Sequence, residues 1–217
     1  MKADDIKNAL AKAKGQGKKR NFSQRIDLIV NFKELDLKKP ENQLDFFTAL
    51  PNNAGKEKKI AGFVDQELLE EAKGNLEFYI TADNFKQYAS DKKKAKNVAG
   101  SYDYFVAQAN IMRDVAGSFG RILGSRGKMP NPKAGMVIPP KGALGPIVSR
   151  LKKTVHVKVK SAPTFSAAVG SEKQTDDEIT MNILSLYDQI VQHLPNEETN
   201  VKSVFIKTTM GAPVRLV

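Results

Sequence analysis

The middle of the chain sets the tightest constraint on its fold. Three short apolar runs, Lys59-Ile-Ala-Gly-Phe-Val64, Leu76-Glu-Phe-Tyr-Ile80 and Tyr102-Asp-Tyr-Phe-Val-Ala107, alternate with segments of helical spacing. Asp65 can cap a helix starting near Gln66, and Asn110 one starting at Ile111, with a helix through Phe85, Tyr88 and Ala89 between them. Strand, helix, strand, helix, strand at this spacing predicts parallel strands joined by crossover helices, which is a small doubly wound unit.

The flanks follow another pattern. Residues 4–14 read as a short basic helix with Ile6, Ala9, Leu10 and Ala13 on one side, ended by Gly15 and Gly17. Strands are predicted at 25–33 and 44–50, before the turn Pro51-Asn-Asn-Ala-Gly55. After a short helix around 147–151, Thr154-Val-His-Val-Lys-Val-Lys160 sets Val155, Val157 and Val159 on one face and His156, Lys158 and Lys160 on the other. Residues 165–169 are expected to pair back on it as a hairpin. Thr175 or Asp176 caps a helix striped with Ile179, Ile183, Leu186, Ile190 and Leu194, and 201–208 is a last strand. Neither terminal piece has the strands or apolar surface to fold alone. The expected class is therefore α/β with two domains. One is a split α+β domain of 1–57 and 155–217, and the other a Rossmann-like insert of 58–154. The chain crosses between them twice, with hinge residues Gly55 and Lys153.

Charge narrows the function. The 35 Lys and Arg against 24 Asp and Glu give +11, which favours a polyanionic partner. Residues 115–171 contain no Asp or Glu but ten basic residues, among them Arg121, Arg126, Lys128, Lys133, Lys141, Lys158 and Lys160. The first twenty residues carry seven basic and two acidic side chains, whereas 172–198 carry seven acids and one Lys. A long stretch without a carboxylate fits nucleic acid better than a neutral surface.

Enzymatic signatures fail in turn. With no Cys there is no disulfide, thiolate metal site or Cys nucleophile, and only His156 and His193 could serve as imidazole ligands, so no metal or cofactor is expected. Each His reads as a surface or capping residue. A phosphate loop across Gly120–Lys128 would need Gly where Ile122 stands and a hydroxyl where Met129 stands. No apolar run approaches a membrane span and the N-terminus lacks a signal-like core, so a soluble, cytoplasmic protein is expected.

Four places could meet RNA. Residues 117–146 hold seven Gly and five Pro, and lose both periodicities, reading as a long basic loop. Within it Gly124-Ser-Arg-Gly127 matches a GxxG phosphate loop, although Met129-Pro-Asn-Pro follows where a second helix would be needed. Phe22 in Arg20-Asn-Phe22 could pack on a base or sugar, or equally close the core end of a strand. Thr208-Thr-Met-Gly-Ala-Pro213 offers hydroxyls and a close backbone approach, or forms an ordinary strand-ending turn.

Two segments are familiar. Arg121-Ile-Leu-Gly-Ser-Arg-Gly-Lys-Met-Pro-Asn-Pro-Lys-Ala-Gly135 and Lys202-Ser-Val-Phe-Ile-Lys-Thr-Thr-Met-Gly211 closely resemble the two signatures of the family of large-subunit ribosomal protein one. Lys18-Lys-Arg-Asn-Phe22 and Leu35-Asp-Leu-Lys-Lys-Pro-Glu-Asn42 resemble its archaeal branch. The resemblance covers essentially the whole chain in order. It implies a non-enzymatic constituent of the cytoplasmic large subunit, monomeric outside the ribosome and without membrane contact. Such a protein binds a helical junction of large-subunit rRNA, forms the mobile stalk, assists release of deacylated tRNA from the exit site, and represses translation through its own mRNA. By matching motifs it assigns RNA contacts to Phe22, Ser203, Thr209, Met210 and Gly211. Arg25, Lys158 and Lys160 are added as nearby cations, and the basic loop residues Arg121, Arg126, Lys128 and Lys133 as a secondary RNA or tRNA contact. Three positions depart from the family pattern: Arg25 replaces a common hydroxyl, Ser125 a Pro, and Ala212-Pro213 reverses the commoner order. The competing expectations are a nucleotide-dependent enzyme using the α/β insert and a free-standing RNA chaperone.

Overall fold

The computed structural model describes residues 1–15, 20–140 and 142–216, so Gly17, Lys18, Lys19 and Lys141 of the sequence reading lie outside it. In chain order it runs through α1 (Ala3–Gly15), β1 (Arg25–Phe32), β2 (Leu44–Ala49), β3 (Ile60–Val64), α2 (Leu69–Asn75) and β4 (Phe78–Thr81). There follow α3 (Phe85–Ser90), α4 (Lys92–Ser101), β5 (Tyr104–Gln108), α5 (Met112–Ser125), β6 (Val137–Ile138) and α6 (Leu144–Lys153). The last elements are β7 (Thr154–Val159), β8 (Thr164–Ser171), α7 (Asp176–Gln192), β9 (Val201–Thr208) and β10 (Val214–Arg215). The chain forms two compact units, Met1–Glu57 with Lys153–Val217, and Lys58–Lys152.

In the first unit β1 lies antiparallel between β9 and β8, giving the order β10-β9-β1-β8. Its even positions Ile26, Leu28, Val30 and Phe32 are buried with Ile6 and Leu10 of α1 and with Ile179, Ile183, Leu186 and Ile190 of α7. Each such side chain contributes about 1.5–3 kcal/mol on leaving water. The odd positions Arg25, Asp27, Ile29 and Asn31 point the other way and stay exposed or half-buried. A second, two-stranded sheet pairs β2 with β7 antiparallel.

The expected hairpin between 154–160 and 165–169 does not form. β8 pairs with β1, from Arg25 opposite Ser171 to Asn31 opposite Thr164, while β7 takes β2. Alternation fixes which face of a strand is buried but not which strand lies beside it, and here the partners come from the far N-terminal segment.

The second unit is a parallel sheet in the order β4-β3-β5-β6. Phe63 of β3 is fully buried, 4.9 Å from the Phe119 ring and 5.6 Å from the Phe105 ring. Two sequence expectations change here. The helix through Phe85, Tyr88 and Ala89 forms as α3, and α4 follows it unanticipated, because Asp91 ends the first and caps the second by accepting from Lys93 and Lys94 N–H. The non-periodic basic loop begins later than expected, since α5 continues to Ser125. Val115, Phe119 and Leu123 form its buried stripe, and this packing outweighs the weak helix propensity of Gly117, Gly120 and Gly124. Asn110 does not cap α5. It sits in a 3-10 turn and donates to Asp65 at 3.4 Å.

The crossing points are tightly held. Asn182, fully buried in α7, donates to Val169 O at 2.8 Å and accepts from Asn52 N–H at 2.9 Å. Gly55 adopts φ 90°, and a Cβ there would lie 2.5 Å from Gly170 O, so only glycine fits. Lys153 donates from Nζ to Pro51 O at 3.0 Å, and its own carbonyl accepts from Leu50 N–H at 3.0 Å. Helix α7 starts from a capping box of Thr175 and Glu178. Thr175→Ala should therefore lower the stability of the first unit by about 1 kcal/mol, read as a shifted urea midpoint at unchanged m-value.

Candidate nucleic-acid interface

Strand pairing brings three chain segments to one end of the four-stranded sheet. Ile26 lies opposite Thr208 of β9, and Arg25 opposite Ser171 of β8, so the lead-in to β1, the turn after β9 and the end of β8 meet. On this edge Phe22 is 54% exposed and Met210 61% exposed, among the largest apolar side chains left in solvent. Scattered apolar exposure is ordinary, but here two such residues flank one backbone clamp.

The clamp centres on Thr209. Its N–H donates to Arg25 O at 2.9 Å, its hydroxyl accepts from Arg25 N–H at 3.0 Å, and that hydroxyl lies 3.2 Å from Arg25 O as donor. The sequence reading gave this hydroxyl to phosphate or ribose. In the structure it bonds the chain itself, splicing the β1 lead-in to the turn, and keeps one lone pair for any further partner. Gly211 N–H donates to Thr208 O at 3.1 Å, and a Cβ on Gly211 would fall on the Thr208 hydroxyl, 2.2 Å away. Thr208 is fully buried, so Gly211 is required by the turn's own packing.

Gln24 ties the third segment in, and the sequence reading missed it. It is 3% exposed, and its Oε1 accepts from Met210 N–H at 3.0 Å while its Nε2 donates to Glu172 Oε1 at 3.0 Å. Glu172 Oε2 also accepts from Gln24 N–H at 3.2 Å, and Gln24 O accepts from Glu172 N–H at 3.0 Å. Only pairing between segments about 150 residues apart makes Gln24 central, and no local pattern carries that information.

Other predicted residues lie elsewhere or are engaged. Ser203 sits toward the start of β9, 8% exposed, and accepts from Asn31 Nδ2 at 3.0 Å. It is six residues from Thr209, on the order of 20 Å along an extended strand. Lys160 pairs with Asp45 at 2.6 Å, beside His156 at 2.7 Å. Burial pushes the Asp45 carboxyl up, but Lys160 and His156 bond and attract its charged form and hold it below its ordinary value. His156 also stacks on Phe47 at 4.1 Å, and His193 on Phe46 at 3.9 Å, so both imidazoles are structural. Lys158 and Arg25 are exposed.

The basic-loop residues separate as well. Lys128 turns inward and its ammonium donates to Ala99 O and Tyr102 O, closing the end of α4. Lys133 sits in a 3-10 turn capped by Asn131. Arg121 and Arg126 instead line a groove beside α4. Gly124-Ser-Arg-Gly127 closes α5 rather than joining two helices. Among the described residues, no group of three or more His, Cys, Asp or Glu could hold a metal, and no helix is long and apolar enough to cross a membrane.

The parallel sheet offers little to a nucleotide. At the carboxyl ends of β3 and β5, where such sheets take ligands, Asp65 N–H donates to Gln108 Oε1 at 2.9 Å and Gln108 Nε2 donates to Glu67 Oε2 at 2.9 Å. The carboxylates of Asp65 and Glu67 oppose a phosphate there.

Comparison with known proteins gives the family. A model of the ribosomal protein L1p/L10e family matches residues 10–212. The chain belongs to this family. A large ribosomal subunit protein uL1 from Methanobrevibacter smithii is 40% identical over 214 residues, covering 98% of this chain and 99% of the relative. The protein of that name from Methanothermococcus thermolithotrophicus is 39% identical, covering 100% of this chain and 99% of the relative, and that from Thermoplasma acidophilum is 34% identical, covering 100% and 97%. The archaeal resemblance and the ribosomal class expected from the two signatures both hold.

Gln24→Glu tests the clamp in this family member. Two carboxylates would then face each other with Met210 N–H between them, destabilising the fold by about 2 kcal/mol or more at neutral pH. Mutual repulsion would raise the proton affinity of the pair in the folded state, so the loss should fade as pH falls towards the unfolded carboxyl value of about 4.3 and be gone below it, where the protonated Glu mimics Gln. Urea unfolding at neutral and acid pH reads both effects.

Proposed function

We propose that the protein is a constituent of the cytoplasmic large ribosomal subunit that binds a helical junction of large-subunit rRNA through its first unit. The observation that carries this reading is the clamped edge, where Phe22, three residues before Arg25, and Met210, next to Thr209, are both exposed. Apolar and aromatic side chains on a rigid edge fit unstacked bases and sugars of a folded RNA, and Arg25 and Lys158 supply charge for phosphates. The family is one of ribosomal proteins and not of enzymes, which agrees with the crevice at β3 and β5.

In this reading the protein acts as a mobile arm that helps deacylated tRNA leave the exit site, and binds a like RNA shape in its own mRNA to repress translation. Outside the ribosome it is a monomer. The two chain crossings serve as the hinge. Gly55 is fixed against Gly170 and Lys153 is bonded to Leu50 and Pro51, so bending falls between these anchors, at residues 56–58 and just before Lys153.

Phe22→Ala and Met210→Ala should each weaken binding to an rRNA junction fragment by about 1–3 kcal/mol while leaving unfolding unchanged. Equal losses on an unrelated RNA duplex would count against shape-specific binding. The absence of Cys makes paired labels straightforward. With Ser90→Cys and Ser185→Cys, label distances in the free protein should be broad or multiple and shift with ionic strength. One narrow distance at both low and high salt would exclude the hinge.

A further inference from the structure

The second unit carries a cationic groove that the clamped edge does not account for. It measures about 650 Å³ and is lined by Tyr88 of α3, Lys92 and Lys96 of α4, and Ser118, Arg121 and Arg126 at α5 and its end. No carboxylate lines it. Among the described residues, none of the four cationic side chains has an ion pair or a hydrogen bond, unlike Lys128 close by. Arg126 lies over the end of α4, its guanidinium 3.3 Å from where a Cβ of Gly100 would stand. The Tyr88 ring is half-buried, packed on Phe119 at 5.5 Å, and with Ile122 gives the groove an apolar floor.

Four exposed, unpaired cations around a half-open groove repel one another, and an anionic occupant relieves that repulsion. Two of them are guanidiniums, whose planar forks match phosphate oxygens. The floor decides among polyanions. A duplex hides its base faces and an acidic peptide has no planar face to lay on Tyr88, whereas an unpaired strand offers a phosphate and a base face at each step.

We propose that this groove binds a short unpaired stretch of RNA, with a base on Tyr88 and its phosphates on Lys92, Lys96, Arg121 and Arg126. The inference rests on the reading above only in taking RNA as the occupant, and concerns a different unit from the rRNA-binding edge.

The test uses the full chain and a fluorescent decauridylate. Wild type should bind it with a salt slope of about −2 to −3, at about 0.7 per phosphate contact. The double variant Lys96→Ala with Arg121→Ala should lose roughly 1.4 of that slope. Tyr88→Leu should weaken binding at least about fivefold. Both should bind the rRNA junction fragment within about twofold of wild type. A 4-thiouridine form of the probe should crosslink within residues 85–126. The charge variant needs no change in the core, so it remains decisive if Tyr88→Leu proves unstable. Crosslinks confined to residues 20–25 and 203–211, with the double variant silent, would overturn the groove while leaving the rRNA reading intact. Decaglutamate competing as well as unlabelled decauridylate would also overturn it, in favour of an acidic peptide. Groove crosslinks in a protein that fails to bind the rRNA fragment would support the groove and sink the rRNA reading instead.

Discussion

The first unit depends on one act of pairing, the insertion of β1 between β9 and β8. β1 comes from the start of the chain and both its neighbours from the end, so Ile26 meets Thr208 and Gly170 across most of the sequence. Until that pairing forms, Ile26, Leu28 and Val30 have no core and α1 has nothing to cover. Such long-range closure makes folding slow compared with a chain of local contacts. It also allows the α/β unit to be inserted, because the exit at Asn52–Asn53 and the return at Lys153 are bonded to elements already fixed by the sheet. The same pairing builds the candidate RNA edge, since it alone brings Gln24 and Arg25 onto Thr209 and Met210.

Charge pointed to a polyanionic partner, but the structure engages several of the residues that carried it. The basic N-terminal helix faces the acidic start of α7, with Lys7 on Asp177 at 2.7 Å and Lys14 on Asp176. Those lysines balance a neighbouring helix and add little to an RNA surface; exposed pairs of this kind contribute at most about 1 kcal/mol. Lys160 and Lys128 are likewise engaged, one by a carboxylate and the other by helix-end carbonyls. Four cations without such partners line the α4–α5 groove, and two of them, Lys92 and Lys96, lie outside the acid-free stretch that drew attention in the sequence.

Much of the fold was legible because it is written in local periodicity. The parallel strands at Ile60–Val64, Phe78–Thr81 and Tyr104–Gln108 and the α7 stripe all follow from spacing and caps. What failed was partner choice and glycine weighting. Nothing in the alternation of 164–171 could say that β1, not β7, lies alongside. Three glycines in Met112–Ser125 masked how far the helix expected from Ile111 runs, since its stability comes from Val115, Phe119 and Leu123 packing in the core. At the site, Phe22, Thr209, Met210 and Gly211 were found through motifs, whereas Gln24 and Glu172 were not, because their importance exists only once β1 and β8 meet.

Glu172 would seem out of place at an anion-binding edge, yet its bonds explain its presence. Both its oxygens accept from Gln24, and with Nε2 committed there, Gln24 can turn only its carbonyl oxygen towards Met210 N–H. The carboxylate thus fixes the orientation of an amide that would otherwise be free to flip, and through it the position of the Met210 backbone. Thr209 fixes the adjacent residue by its bonds to both backbone groups of Arg25. The edge is therefore held before any RNA arrives, and little ordering remains to be done on binding. In the proposed reading an edge made this way suits recognition of an RNA's shape, because the Met210 backbone is already in place, while the exposed charge of Arg25, which would attract phosphates, is free to adapt.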